Sequence, residues 1–230
     1  MNILSFARPY GRCAAAVLLA LAGGCGALSP TTTPQPSFYS LDGARTPVPA
    51  ATRAPAILSQ SAPTLIVNHT HAATGFDSQR IIYVRETHKL EYYAHNEWIG
   101  PPARMLEPLI VAAIENNGAF RAVVLTPSAA AGDLRLDTEI VRLLHDFTSQ
   151  PSRVRFTFRA YVVDNASRRV LAWREFDETV AATSDNPRGG VEAANRAVQN
   201  VLEQVAGFCA EAAGNWQSAA AAIQKRAEKK

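Results

Sequence analysis

The chain has 230 residues, of which 47% are hydrophobic and 19% are charged, and its formal net charge is +3. This length suits a single folded domain with flanking segments. The charge balance argues against a nucleic-acid-binding protein, which would carry a strong basic excess. It also argues against a protein that electrostatics alone hold on a membrane surface.

A basic start and a short apolar run give the beginning of the chain the pattern of a secretory signal peptide. Arg8 and Arg12 supply the charge, and the apolar run over 13–22 is too short for the roughly 20 residues that span a bilayer. This pattern predicts that residues 1–24 are the signal. Their removal leaves 21 basic and 20 acidic residues, a net charge of +1.

Cys25 directly follows the small residues Gly23 and Gly24, and we predict that it is lipidated. The arrangement resembles the lipobox of bacterial lipoproteins, in which the signal is cut before the cysteine and the cysteine carries the lipid. Ala22 departs from that pattern, which usually has leucine there. An ordinary cysteine in a signal without lipidation is the alternative. Because Gly26 rather than aspartate follows, analogy with Gram-negative sorting favours an outer-membrane anchor and a domain facing the periplasm.

Two segments of low complexity lie between the signal and the folded domain. Residues 25–37 are rich in proline, threonine and serine, and predict a tether that extends about 3.1 Å per residue. Residues 38–41 are a candidate strand, and residues 43–63 predict a second loose loop. We place the domain at 38–216 and expect a frayed basic tail over 217–230.

The first half of the domain combines short strands with one helix. Strands are predicted at four places, of which the second and third form a pair: 64–67, 81–84, 90–93 and 122–125. Apolar residues at helical spacing predict a helix that follows Pro102 and ends at Asn117 and Gly118. Pro108 lies inside this pattern, where it either kinks the helix or marks its true start.

Three longer strands then predict an antiparallel meander. The first alternates from Leu134 to Ile140 and then changes phase, which predicts a bulge. In the second, apolar residues occupy the even-numbered positions from Val154 to Val162, so one face packs and the other meets water. The third covers about 169–180.

A long amphipathic helix closes the domain. Asn186 and Pro187 form an N-cap and first-turn pair. Apolar residues then recur every three or four positions from Val191 to Phe208. Together the elements predict an α+β fold, an antiparallel sheet with two main helices packed on one face and the other face open to a partner. Cys209, beside the apolar stripe, is expected to be a buried and unreactive thiol.

The sequence contains no motif typical of catalysis, a cofactor or a metal. His69 and His71 could share one side of a strand, but only Asp77 lies near them as a further ligand, so we interpret them as surface histidines. Motifs of serine hydrolases, phosphate-binding loops and zinc proteases are missing. We therefore predict a protein that is not an enzyme. A periplasmic hydrolase that uses His69, His71 or His145 is the least favoured alternative.

Three arginines of the second long strand project from its water-facing side: Arg153, Arg155 and Arg159. One interpretation is a solvated face whose charges prevent unwanted sheet stacking. The other is a docking patch for an acidic partner or a phospholipid headgroup.

An ordered set of motifs runs through the domain: a strand, a tyrosine pair, an aromatic residue, a proline-led helix, a hairpin and an alanine-rich helix. The residues are Ile81 to Val84, Tyr92, Tyr93, Trp98, Pro101, Pro102, Arg168 to Ala172, and Ala193 to Ala197. This set resembles the ABC-type transport auxiliary lipoproteins, the PqiC-like family, over roughly residues 20–210. Pro108 and the 43–63 loop depart from the family pattern.

The resemblance implies a non-catalytic component of an envelope transport system. Its implied partners are an MCE-domain protein and the permease and ATPase of an ABC transporter, which move lipids or other hydrophobic molecules between membranes. It implies no cofactor, and it leaves homo-oligomerisation open. Large aromatic residues dominate binding hot spots, so Tyr92, Tyr93 and Trp98 are candidate contacts, with core packing as the alternative. A lipid carrier with its own apolar cavity is the second hypothesis.

Overall fold

The computed structural model describes residues 35–42 and 62–227. Its elements in chain order are β1 (Ser37–Tyr39), β2 (Thr64–Val67), β3 (His71–Ala72), β4 (Arg80–Val84), β5 (Glu91–Trp98), α1 (Pro102–Asn117), β6 (Ala122–Leu125), β7 (Leu134–Asp146), β8 (Arg153–Asp164), β9 (Val170–Ala181) and α2 (Pro187–Ala227). The predicted signal peptide, Cys25, the tether up to residue 34, the loop over 43–61 and residues 228–230 lie outside the described residues.

The 13-residue strand β7 organises the sheet because it is paired along both edges. On one edge β8 runs antiparallel to it, and β9 continues this meander, as predicted. On the other edge three strands pair with β7 in succession, and each runs parallel to it. Strand β2 pairs at 134–136, β3 at 139–140 and β4 at 145–146.

The remaining strands extend this second edge. Strand β6 pairs parallel with β2, β5 pairs antiparallel with β4, and β1 pairs parallel with β5. The hairpin predicted from 81–84 and 90–93 is therefore confirmed. Among the described residues the sheet has nine strands and is mixed. The α+β class is confirmed. In the described sheet, four parallel pairs join a strand before α1 to a strand after it through crossovers, and the parallel pair β1–β5 joins two strands that both precede α1.

The core lies between the sheet and both helices, which share one apolar cluster. The apolar side chains at the even-numbered positions of β8 are all buried in it, as their alternation predicts: Val154, Phe156, Phe158, Ala160 and Val162. The predicted bulge is confirmed by a register shift between Ile140 and Arg142. The extra residue changes the phase of β7, so that Leu143 and His145 lie opposite buried residues of β8.

Helix α1 contains two prolines, one in its first turn and one in its interior. Pro102 occupies the first turn, where a missing N–H costs no hydrogen bond, and Gly118 ends the helix at a φ of 75°. Pro108 lies inside the helix and is not its start. It deprives the carbonyl of Arg104 of its helical donor, but both residues are exposed, so solvent can hydrate that carbonyl.

Helix α2 begins as predicted, because the side-chain oxygen of Asn186 accepts a hydrogen bond from the backbone N–H of Gly189 at 3.0 Å. It differs from prediction at its other end. The helix continues beyond Trp216 to Ala227 instead of fraying at 217. Alanine has the highest helix propensity, which accounts for this extension. None of the helices in the described residues is long and apolar enough to cross a membrane.

Helix α2 also holds the strand through which the chain enters the domain. The side-chain nitrogen of Asn195 donates to the carbonyl of Ser40 at 3.1 Å, and its oxygen accepts from the N–H of Asp42 at 2.7 Å. Leu41, between these two residues, is buried in the core. Strand β1 is thus fixed both to the sheet and to the helix.

Candidate functional site

The sheet face opposite the helices carries the arginine row that the sequence predicts, and its charges are balanced by acids on neighbouring strands. Arg159 bridges two carboxylates, with Nη2 at 2.7 Å from Glu175 and Nη1 at 3.2 Å from Glu139. The hydrogen bond with Glu175 raises the pKa of the Arg159 guanidinium, which stays charged.

The other two arginines also have partners. Arg155 Nη1 lies 3.9 Å from Asp146 Oδ2, and Arg153 Nε donates to Ser149 Oγ at 2.8 Å. Burial acts to raise the pKa of Asp146, but hydrogen bonds from Thr148 and the nearby arginines together lower it. This pairing favours a solvated, charge-balanced face over a strongly basic patch.

The three aromatic candidates are divided between the surface and the interior. Tyr92 is 51% exposed, and the guanidinium of Arg80 lies over its ring at 4.1 Å. Trp98 is only 3% exposed and belongs to the core, as the core-packing alternative predicts. Tyr93 is partly buried and packs against the core. Tyr92 is therefore the most accessible of the three.

An open groove of about 470 Å³ adjoins Tyr92. Ile82 and Leu90 give it apolar walls, and Asp77, Arg80 and Glu91 give it charges. Its size falls within the range of about 300–1,000 Å³ that is typical of ligand pockets, although it is open to solvent. The groove can receive an apolar side chain flanked by polar groups.

One cavity of the described residues lies between the helices and the sheet. The cavity between helices and sheet, beside Trp98, His145 and Gly190, has a volume of about 10 Å³. That is far below the roughly 300 Å³ at which ligand pockets begin. This packing disfavours the carrier hypothesis for the conformation described.

Four polar side chains, of which the middle two are buried, form a chain of hydrogen bonds that the sequence analysis missed. Tyr93 Oη lies 3.2 Å from Nδ1 of His145. The other ring nitrogen, Nε2, lies 2.8 Å from Oγ of Ser152, which in turn donates to Asp185. His145 and Ser152 are almost fully buried. The signal available in the sequence was the phase change of β7, which turns residue 145 toward the core.

One arrangement of protons satisfies all three bonds. The carboxylate of Asp185 can only accept, so Ser152 donates its proton there and accepts from Nε2–H of His145. Nδ1 then accepts from the hydroxyl of Tyr93. In a serine hydrolase the imidazole instead takes the proton of the serine. Because Ser152 is also buried, this chain of bonds links structural elements and does not present a nucleophile.

The surroundings of this network determine the charges of its members. Burial lowers the pKa of His145 and raises that of Tyr93, so both are neutral at pH 7. The hydrogen bonds from Ser152 hold the pKa of Asp185 below its usual range. The network thereby connects β5, β7, the residue before β8 and the loop before α2. The charge at its end is that of Asp185.

The other residues considered for chemistry lie elsewhere. His69 Nδ1 is 3.0 Å from Oε1 of the buried Glu107, and His71 is exposed on β3. Within residues 35–42 and 62–227, no group of three or more side chains is arranged to hold a metal ion. Burial raises the pKa of the Cys209 thiol to about 12, which confirms the expected buried, protonated cysteine.

Comparisons with known proteins identify the family. The family model of the ABC-type transport auxiliary lipoprotein component matches residues 39–206. The chain belongs to this family. Protein XCC0632 of Xanthomonas campestris has the same fold, with 24% identity and a TM-score of 0.67 over 79% of this chain and 98% of its own. A structure described as an uncharacterized protein is 12% identical, with a TM-score of 0.59 over 76% of this chain and 99% of its own. No curated protein matched the chain.

Membership confirms the resemblance inferred from the motifs. This auxiliary lipoprotein is a bacterial lipoprotein and a component of an ABC-type transport system. The matched segment runs from β1 into α2. It therefore includes the last residue of β1, all of β2 to β9, the groove beside Tyr92 and the hydrogen-bonded network.

Gly190 lets the first turn of α2 approach the His145 ring, and its replacement tests that contact. A Cβ on Gly190 would lie 2.4 Å from His145 Nδ1. We expect Gly190→Ala to lower the free energy of unfolding in urea by about 1–3 kcal/mol through overpacking. The control is Gly207→Ala in the same helix, where a Cβ meets nothing within 4 Å. This control should stabilise by up to about 1 kcal/mol. Equal effects of the two substitutions would contradict the packing argument.

Protonation of His145 should make the fold less stable in acid. Because its pKa is lowered in the folded state, the unfolded chain binds the extra proton as pH falls below about 6.5, and stability falls with it. Asp185 acts in the same direction below about pH 4. Urea denaturation at about pH 7.5 and about pH 5 should show a smaller loss for His145→Gln than for wild type. His95→Gln, at an exposed position of β5, should lose as much stability between the two pH values as wild type. An equally large loss in His145→Gln would refute His145 as the origin of the pH dependence.

Proposed function

We propose that this auxiliary lipoprotein is anchored in the outer membrane, faces the periplasm and acts as a non-catalytic docking module. Its partners would be an MCE-domain protein and the permease and ATPase of an ABC transporter that moves lipids or other hydrophobic molecules between the membranes. The family match over residues 39–206 carries this proposal, because that family is an auxiliary lipoprotein component of ABC-type transport.

The proposed anchor is the lipidated Cys25. The lipobox pattern supports it, and each buried methylene of an acyl chain would contribute about 0.8 kcal/mol to membrane binding. The chain from Cys25 to β1 would be extended and would reach on the order of 35–40 Å. That distance would hold the domain clear of the headgroups and in reach of a partner in the periplasm.

The cavity volumes of the described domain support a docking role better than a lipid-carrier role. Its interior cavity is about 10 Å³, whereas the groove beside Tyr92 is open and about 470 Å³. We propose that Tyr92, oriented by Arg80, is an aromatic anchor for the partner. Arg153, Arg155 and Arg159 would contribute polar contacts at the same face, while Tyr93 and Trp98 would support it from within.

The anchor predicts a specific labelling result. In cells grown with radiolabelled palmitate, the wild type should be labelled and should fractionate with the outer membrane. Cys25→Ser should carry no label and leave that fraction. Cys209→Ser alters a buried cysteine instead and should behave as wild type. A wild-type protein without label, found free in the soluble fraction, would overturn the proposed anchor.

The docking role predicts a loss of partner binding when Tyr92 is truncated. After cross-linking in cells, the detergent-solubilised protein should recover the MCE-domain protein or its permease. Tyr92→Ala should lower that recovery at least about tenfold, since hot-spot aromatics contribute 2 kcal/mol or more, while the melting temperature stays unchanged. Tyr92→Phe, which keeps the ring, should bind nearly as wild type. Recovery of neither partner by the wild type would refute the docking role; full recovery by Tyr92→Ala would refute only this contact.

A further inference from the structure

The outer edge of β9 is long and has no strand partner within residues 35–42 and 62–227. Among the described residues, β9 pairs with β8 on one side only, and it is 12 residues long. Unpaired edges of this length are templates for pairing with another chain, and natural proteins usually shorten or cover them.

The backbone hydrogen bonds show which groups of β9 point outward. Ala182 N–H donates to the carbonyl of Ser152 at 2.8 Å, so the position after β9 faces β8. In an antiparallel pair the direction alternates residue by residue, so Thr179 and Ala181 turn their N–H and C=O groups to the free edge. Consistent with this, Arg196 of α2 donates to the carbonyl of Ala181 at 2.8 Å.

Exposed apolar side chains are concentrated at the start of this edge. Val170, Leu171 and Trp173 are 56%, 41% and 62% exposed. They are three of the seven exposed large hydrophobic residues in the described part of the chain, and they lie within four positions. The Trp173 ring stacks on Tyr161 at 6.3 Å with an angle of 24°, so it is supported on the sheet face. Such a cluster is typical of an interaction site.

The rest of β9 is acidic. It carries Arg174 with Glu175, Asp177 and Glu178, a net charge of −2. Glu175 is paired with Arg159 and Arg174 with Glu211, whereas Asp177 and Glu178 accept hydrogen bonds from the neutral side chains of Thr157 and Asn200, so the acidic excess lies at 177–178. Two copies of β9 side by side would bring these acids together, and like charges on adjacent strands are destabilising. A basic strand would be attracted instead. The whole chain carries +3, so such attraction would be local to this edge.

We infer that the free edge of β9 binds an extended peptide segment by strand addition. The segment has apolar side chains against Val170, Leu171 and Trp173 and basic side chains along 175–178. Main-chain hydrogen bonds give affinity in this mode, and alternate side chains give specificity. This inference rests on the proposed function only for the assignment of the segment to the transporter's periplasmic partner.

A proline at residue 179 tests the edge directly. Thr179→Pro removes an N–H of the free edge but none of the β8–β9 ladder, and prolines are tolerated at such edge positions. Thr179→Ala keeps the N–H and is the matched control. Val180→Pro would instead remove a ladder bond, and its lower melting temperature would confirm the assignment of the two edges.

The probe is a fluorescein-labelled peptide of about ten residues, a usual strand length, with alternating valine and lysine. A peptide with glutamate in place of lysine is its counterpart. Fluorescence anisotropy with the full chain in detergent should give at least about tenfold tighter binding of the lysine peptide, a difference of about 1.4 kcal/mol. Thr179→Ala should bind like wild type, and Thr179→Pro should lose binding without a change in melting temperature.

Two results would overturn the inference: no binding of the lysine peptide to wild type, or equal binding to Thr179→Pro. Its failure is distinguishable from failure of the proposed function. Recovery of the MCE-domain protein or permease equally by Thr179→Pro and Thr179→Ala would refute the role of the edge and leave the docking role intact. Peptide binding without recovery of either transporter component would support the edge and refute the docking role.

Discussion

The register between β7 and β8 is the constraint on which the rest of the domain depends. Twelve residue pairs align these two strands, with one shift between Ile140 and Arg142. Because side chains alternate between faces, a slip of one residue would move the buried side chains at even-numbered positions from Val154 to Val162 to the solvent, and Arg153, Arg155 and Arg159 into the core. The separation of an apolar inner face from a charged outer face therefore follows from this single alignment.

The bulge within that register connects the sheet to the helices. It turns His145 inward, where Tyr93 and Ser152 bind its two ring nitrogens. The same ring closely approaches Gly190 in the first turn of α2. The position of α2 in turn determines where Asn195 meets the chain beside β1. One extra residue in one strand thus influences contacts in three other elements.

Local sequence patterns predict most of the helices and strands, but they do not predict which strands lie next to each other in the sheet. Alternation in β8, the phase change in β7 and the cap at Asn186 depend on local patterns, and each is confirmed. Whether two strands run parallel depends on crossovers, which local patterns do not record, so the mixed sheet was not predicted. The basic end of the chain predicts fraying beyond Trp216, but the helix propensity of the alanines there extends α2 to Ala227.

The candidate site likewise has features that the sequence predicts and features that it does not. Tyr92 is exposed and Trp98 is buried, although both are large aromatic residues of β5. A register shift of the β4–β5 pair lies between the two positions, so regular alternation does not relate them. The hydrogen-bonded chain from Tyr93 to Asp185 joins residues more than 90 positions apart in sequence. No spacing rule relates such residues, so only the assembled sheet brings them together.

The attachment of β1 has a mechanical consequence. Three residues of pairing with β5, a hydrogen bond from Tyr39 to Asn96, two hydrogen bonds with Asn195 and the buried Leu41 join β1 and the residues after it to the domain. Any pull exerted on the chain before Ser37 acts on this small set of bonds first. Local opening requires far less free energy than global unfolding when few contacts are lost. Under load the strand would therefore peel away and lengthen the connection, while the main sheet and both helices keep their shape.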